Sequence, residues 1–235
     1  MDAILEVKNL SKIYNKKDNR GIQNLNFSVP RGSFHAFIGE NGAGKTTTIK
    51  SIINSFSNWT GQILIDNKDN KTAESKEKIG YVPENALFPK EIKTIDYLLS
   101  FALLSGMDKA KAKEKIKDML TRLDIIDLIN KKPYSFSSGQ KKKVLLIQAL
   151  IHEPDLIILD EPAANLDPSA RYELFKILED LKNQGKTIFI SSHILSEIDK
   201  YIDSLTLIHD GQIVFNGEKN QNLEEIYHEK IIKTN

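Results

Sequence analysis

Gly39-Glu40-Asn41-Gly42-Ala43-Gly44-Lys45-Thr46 narrows what this chain can fold into more than any other stretch. It fits the pattern G-x-x-x-x-G-K-[ST], with a compact apolar run over 33–38 before it and a helical pattern over 44–53 after it. Strand, glycine-rich turn and helix in that order form one unit of an α/β fold. Glycines let the backbone wrap closely around a phosphate, and successive N–H groups with the helix N-terminus favour negative charge there. Lys45 supplies a point charge for β- and γ-phosphates, and the Thr46 hydroxyl is a hard oxygen ligand for Mg²⁺.

The surrounding patterns agree with that unit. Segments 3–8 and 21–29 alternate apolar with polar residues, as in a half-buried antiparallel sheet, with a turn-rich polar loop over 15–21 between them. Segment 61–66 returns as a strand. Ile95, Leu98, Leu99, Ala102 and Leu103 then recur at helical spacing, as do Ile116, Met119, Leu120 and Leu123 after the Gly106 break. Beyond Gln140 the pattern becomes strand 156–159, helix 169–181, strand 187–191 and helix 195–201, which predicts a parallel sheet with crossover helices. Strands 204–209 and 212–215 meet at Asp210-Gly211 as a hairpin, and 223–232 reads as one closing helix. The run Lys141-Lys142-Lys143 is expected on a solvated face.

The predicted class is therefore α/β: a mostly parallel phosphate-loop core, an N-terminal antiparallel β subdomain and an inserted α-helical subdomain. The single domain over 1–235 is expected to divide into β and core parts at 1–90 and 153–220, a helical part at 91–152 and a tail at 221–235.

Charge and composition exclude several classes. Lys and Arg total 33 against 32 Asp and Glu, so a net charge of +1 gives no general attraction to nucleic acid, which is not an expected partner. With no cysteine, disulfides and thiolate-bound metals are excluded. Segment 1–8 is interrupted by charge, unlike a secretory signal. The longest apolar stretch, 144–151, contains Gln148 and falls far short of the ~20 residues of a spanning helix. If the chain serves transport, other subunits are expected to supply the path.

Two further places carry chemistry. Leu156-Ile157-Ile158-Leu159-Asp160-Glu161 is an apolar strand ending in two carboxylates. Alone, an Asp-Glu pair reads as a solvated strand end. Beside a phosphate loop, at the carboxyl end of a parallel strand, Asp160 reads as a Mg²⁺ ligand and Glu161 as the general base that polarises water. His193 follows strand 187–191, so it falls at the same edge, where an imidazole can bond the γ-phosphate or the attacking water.

Phe136-Ser137-Ser138-Gly139-Gln140 lies between the phosphate loop and the Asp160-Glu161 strand. With these motifs in this order, the chain resembles the ATP-binding subunit of ATP-binding cassette (ABC) transporters over nearly its whole length. The resemblance implies that Tyr14 stacks on adenine, that residues 39–47, Thr47 included, bind the phosphates of ATP, and that Glu84 lies in a loop coupling two subdomains and ligates Mg²⁺. It implies that Ser137, Ser138, Gly139 and Gln140 contact nucleotide held by a second ATP-binding subunit, that Asn165-Leu166-Asp167 is a dimer-contacting loop, and that His193 is a switch histidine.

Three residues depart from the family pattern. Phe136 and Ser138 stand at the first and third places of Leu-Ser-Gly-Gly-Gln, and Glu84 stands where Gln is usual. Glu84, the compact length and the 223–227 tail are similar to bacterial exporters of drugs, antimicrobial peptides and lantibiotics. Hence a separate transmembrane permease, reached near Leu87, Phe88 and Pro89, and a place on the cytoplasmic face of the membrane are expected. Packing between subdomains is an equal reading of those three apolar residues. An ABC ATPase without a membrane partner is the rival function; a single-site kinase or GTPase would need neither the Ser-Ser-Gly-Gln segment nor the Asn-Leu-Asp loop.

Overall fold

The computed structural model describes residues 2–15, 20–85 and 87–232. Residues 16–19, the centre of the expected polar loop, lie outside them. In chain order the elements are β1 (Ala3–Asn15), β2 (Arg20–Pro30), β3 (Phe34–Ile38), α1 (Lys45–Ile52), β4 (Thr60–Ile65), β5 (Lys68–Asp69), α2 (Ala73–Glu77) and β6 (Ile79–Val82). There follow α3 (Thr94–Leu104), α4 (Lys109–Arg122), α5 (Ser138–Leu150), β7 (Leu156–Leu159), α6 (Pro168–Asn183), β8 (Thr187–Ser192), α7 (Leu195–Ile198), β9 (Ser204–His209), β10 (Gln212–Glu218) and α8 (Leu223–Tyr227).

Two sheets result. The order β2-β1-β4-β5 is wholly antiparallel, as the alternation in the N-terminal segments predicts. The order β10-β9-β3-β8-β7-β6 is parallel except for the edge hairpin β9–β10, whose turn takes positive φ at both Asp210 and Gly211. Because β3, β6, β7 and β8 run the same way, their carboxyl ends open on one edge of the sheet. Gly39, Glu84, Asp160 and His193 lie just beyond those ends.

The parallel strands are buried on both faces, so they read as apolar runs rather than alternations. On one face, Phe37, Ile158 and Phe189 pack against α1 and the antiparallel sheet through Ile49, Ile52, Leu25 and Phe27. The rings of Phe27, Phe37 and Phe189 stack there, with centroids 5.4 Å apart for Phe37 and Phe189. On the other face, Ala36, Ile157, Ile188 and Ile190 share a core with Leu98, Ile116, Val144, Ile147 and Leu174 of the helices. His35 is wholly buried in β3, its two ring nitrogens each 2.8 Å from a hydroxyl, of Ser204 and Thr206. Burial presses its pKa down to about 3.

Two sequence expectations are corrected. The 223–232 tail is not one α-helix: α8 ends at Tyr227, and a π-helical turn spans His228–Ile232. Ile226 and Ile231 are both buried, and the five-residue step between them suits the wider π turn. Nor do Lys141, Lys142 and Lys143 share a solvated face. Lys142 is 5% exposed, because the helical period of α5 turns it inward beside Leu145 and Leu146.

Candidate active site

The phosphate loop leaves β3 at Gly39, where a side chain is excluded: an added Cβ would stand 2.4 Å from the Ile208 carbonyl. Gly44, at the entry to α1, has φ 113°, and an added Cβ would stand 2.5 Å from the Ile22 side chain of β2. The loop is thus clamped between the antiparallel sheet and the β9–β10 turn, where Gly211 N–H also donates to the Ala43 carbonyl at 3.1 Å. Lys45 opens α1 and is buried; its Nζ donates to the carbonyls of Gly39 (2.7 Å) and Glu40 (3.1 Å).

β7 delivers Asp160 and Glu161 to the same place. Asp160 is buried and accepts a hydrogen bond at 2.8 Å from Ser191 Oγ, at the end of β8. The same Ser191 oxygen accepts the Glu161 N–H at 2.8 Å. Glu161 Oε1 lies 3.1 Å from Lys45 Nζ but outside hydrogen-bond geometry, so it is charge-paired while lacking a hydrogen-bond partner. Its other oxygen, Oε2, is 2.9 Å from His193 Nδ1. Burial, with Asp160 and Glu84 adding to it, pushes the neighbouring Tyr81 phenol up to about 12.

A cavity of about 730 Å³ opens over these groups, lined by Tyr14, Arg20, Asn41, Gly42, Gly44, Lys45, Thr46, Thr47, Glu84, Ala164, Glu161 and His193. Tyr14, half-exposed at its rim, sets its hydroxyl 3.3 Å from Thr47 Oγ1 and meets the Phe56 ring edge-on. The volume and the lining suit a nucleotide: an exposed aromatic at one end, a glycine loop and a lysine at the other. Glu40 turns its carboxylate outward to accept the Tyr227 hydroxyl at 3.0 Å.

Oxygen donors dominate the metal side. Among the described residues no group of three or more His, Cys, Asp and Glu forms a metal cage. Mg²⁺ needs none, being held by one or two carboxylates together with phosphates and water. Glu84 and Thr46 line the cavity, while Asp160 is buried beside Ser191 and outside the lining; two carboxylates and a hydroxyl fit that demand.

Residues 137–140 are absent from the cavity lining. They form the start of α5, where Ser137 and Gln140 make a reciprocal capping box and Ser137 and Ser138 are exposed. Phe136 is buried in the helical core, so the first place of the segment is an apolar anchor that Phe fills as Leu would. Asp167 caps α6 by accepting the Ala170 N–H, and Leu166 is buried. Phe88 is buried edge-on against Tyr97, whereas Leu87 is 88% exposed.

Two residues that the sequence reading did not single out support the site from outside the cavity lining. Ser191 tethers both carboxylate positions, and only its place at the end of an apolar strand signalled it. Lys142 donates from α5 to the carbonyls of Pro83 (3.1 Å) and Glu84 (3.0 Å). Its pKa is lowered to about 8 by burial, against the opposing pull of Glu84 and Asp160.

The sequence matches the ABC transporter family model over residues 22–164. It is 51% identical over 217 residues to a Mycoplasma pneumoniae protein named as an ABC transporter ATP-binding protein, covering 92% of this chain and 67% of that one. It is 32% identical to the lantibiotic transport ATP-binding protein SrtF of Streptococcus pyogenes, covering 97% of this chain and 98% of that one. A solved ATP-binding subunit of an ABC transporter superposes with a TM-score of 0.84 at 31% identity, over 96% of this chain and 98% of that chain. With the Gly39–Thr46 loop, Glu161 and His193 gathered at one nucleotide-sized cavity, and with these matches, the chain belongs to the ABC transporter ATP-binding family, which binds and hydrolyses ATP.

Proposed function

We propose that this chain is the ATP-hydrolysing subunit of a membrane transporter and acts as one of a pair. Two copies, or this chain and a similar one, bind ATP·Mg²⁺ on their phosphate loops and close face to face. The observation that carries this reading is a separation. Lys45, Glu161 and His193 meet in one cavity, while residues 137–140 are absent from its lining, with Ser137 and Ser138 exposed. The capping box takes the N–H groups of Ser137 and Gln140, so the N–H groups of Ser138 and Gly139 and the Ser137 hydroxyl proton are what an anion would meet. That anion is then the γ-phosphate on the other subunit.

Within one subunit, Lys45 moves its charge from Glu161 to the phosphates, which frees the carboxylate to take a proton from the attacking water. His193 holds Glu161 through Nδ1 and orients it. Water oxygen bonds to the γ-phosphorus as the bond to the ADP oxygen breaks, leaving ADP and inorganic phosphate. Thr46, Asp160 and Glu84 would hold Mg²⁺, which would supply neutralisation of the phosphate charge. Tyr14 stacks on adenine, selecting a flat base. Glu84 adds negative charge beside the phosphates, which lowers nucleotide affinity relative to a Gln.

No helix among the described residues is long and apolar enough to cross a membrane. On this reading a separate permease carries the cargo, with the exposed Leu87 region as its docking place on the cytoplasmic face. Similarity to SrtF, named for lantibiotic transport, favours export of a peptide, drug or lipid-like cargo. The test is Ser137→Arg. ATP binding should persist while hydrolysis is lost; unchanged turnover would refute the shared site.

A further inference from the structure

Lys142 is a buried cation with an unusual assignment. It sits one turn inside α5, the helix whose first residues are Ser138, Gly139 and Gln140. Its ammonium reaches across to β6's outgoing loop and donates to two consecutive carbonyls, of Pro83 and Glu84. Glu84 lines the nucleotide cavity of the same subunit. A single side chain thus ties the loop that flanks one subunit's own nucleotide to the helix that presents residues 137–140 outward.

Its neighbours do otherwise. Lys143 pairs with Glu173 of α6 at 2.9 Å, and Lys141 approaches the exposed Tyr134 ring. Removing the ammonium would leave two carbonyls without that donor and release the loop from the helix. Charge-assisted hydrogen bonds to a buried lysine are stiff as well as strong, so movement of the loop around Glu84 must move α5 with it.

We infer that Lys142 is a positioning residue that couples occupancy of a subunit's own nucleotide cavity to the placement of its Ser137–Gln140 segment against the partner subunit's nucleotide. The coupling is mechanical: Glu84 responds to the occupied cavity, its backbone carries Lys142, and Lys142 carries the start of α5. The inference rests on the shared-site reading above and adds the residue that transmits between the two half-sites.

The test uses the full chain in the Glu161→Gln background, with ATP binding read on dilute protein and ATP-driven dimerisation read by sedimentation. Lys142→Met should leave ATP affinity of the single subunit close to that of the parent. It should weaken dimerisation on the order of 10–100-fold, the scale of charge-assisted hydrogen bonds lost from a buried site. A site shared between two subunits makes hydrolysis sigmoidal in ATP, and with Glu161 restored Lys142→Met should lose that form. Lys142→Arg, which keeps charge and donors, should recover much of the dimerisation. Unaltered dimerisation and a retained sigmoid in Lys142→Met would overturn the inference, as would an equal loss of single-subunit ATP affinity. Ser137→Arg in the same assay separates the two ideas. If it abolishes dimerisation while Lys142→Met does not, the tie fails and the shared site stands; if Ser137→Arg dimerises normally, the shared site itself fails.

Discussion

Glu161 has φ 42°, a left-handed backbone that costs a residue other than glycine on the order of 1 kcal/mol or more. Its N–H bond to Ser191 Oγ and its carboxylate contacts with Lys45 and His193 hold it there. Glu161→Gln keeps the shape and removes the proton acceptor. Nucleotide binding should survive it, while steady-state turnover should fall by about 10²–10⁴, the scale for a general base. A variant that hydrolysed ATP at the parent rate would remove Glu161 from that role. Ser191 bonds both Asp160 and the Glu161 backbone, so Ser191→Ala should cost roughly 10–100-fold in Mg²⁺-dependent activity, typical for groups that orient metal ligands. A Mg²⁺ titration of activity checks this; an unshifted curve with full turnover would show that Asp160 and Glu161 hold their places unaided.

At the scale of elements, strands β3, β7 and β8 were legible because burial on both faces makes them apolar runs, each ending in a residue with chemistry. β6 was not read as a strand. It has only four residues, and Gly80 and Tyr81 interrupt any run; its Gly80 is there because Ala149 of α5 packs on it, with an added Cβ 2.4 Å from that carbonyl. That contact, like the inward turn of Lys142, belongs to tertiary packing and leaves no local pattern. The interior of β3 adds a pH dependence to the fold. His35 is held neutral by burial, with its pKa near 3, whereas an unfolded histidine titrates at about 6.5. Between those values the unfolded chain binds a proton that the native chain does not. Stability from this group is therefore full above about pH 6.5 and falls as pH drops, by up to ~1.4 kcal/mol per pH unit. Urea unfolding from pH 7.5 to 5 should show a flatter pH dependence for His35→Gln than for the parent. Parallel curves would mean that His35 is not the group responsible.

For the whole molecule, the central fact is that one chain carries a nucleotide cavity and, elsewhere, an exposed capped helix start that the cavity does not use. The phosphate loop and the carboxylate pair were legible as local patterns of spacing. The meeting of the loop, Glu161 and His193 at one cavity was legible only through the parallel order of strands. How residues 137–140 are used lies beyond any single chain's contacts, because their proposed ligand is held by another subunit. Sedimentation velocity on the Glu161→Gln protein, with Mg²⁺ and with or without ATP, tests this most directly. The account predicts a monomer without nucleotide and a dimer at saturating ATP, abolished by Ser137→Arg; a chain that binds ATP fully and remains monomeric at every protein concentration would contradict it.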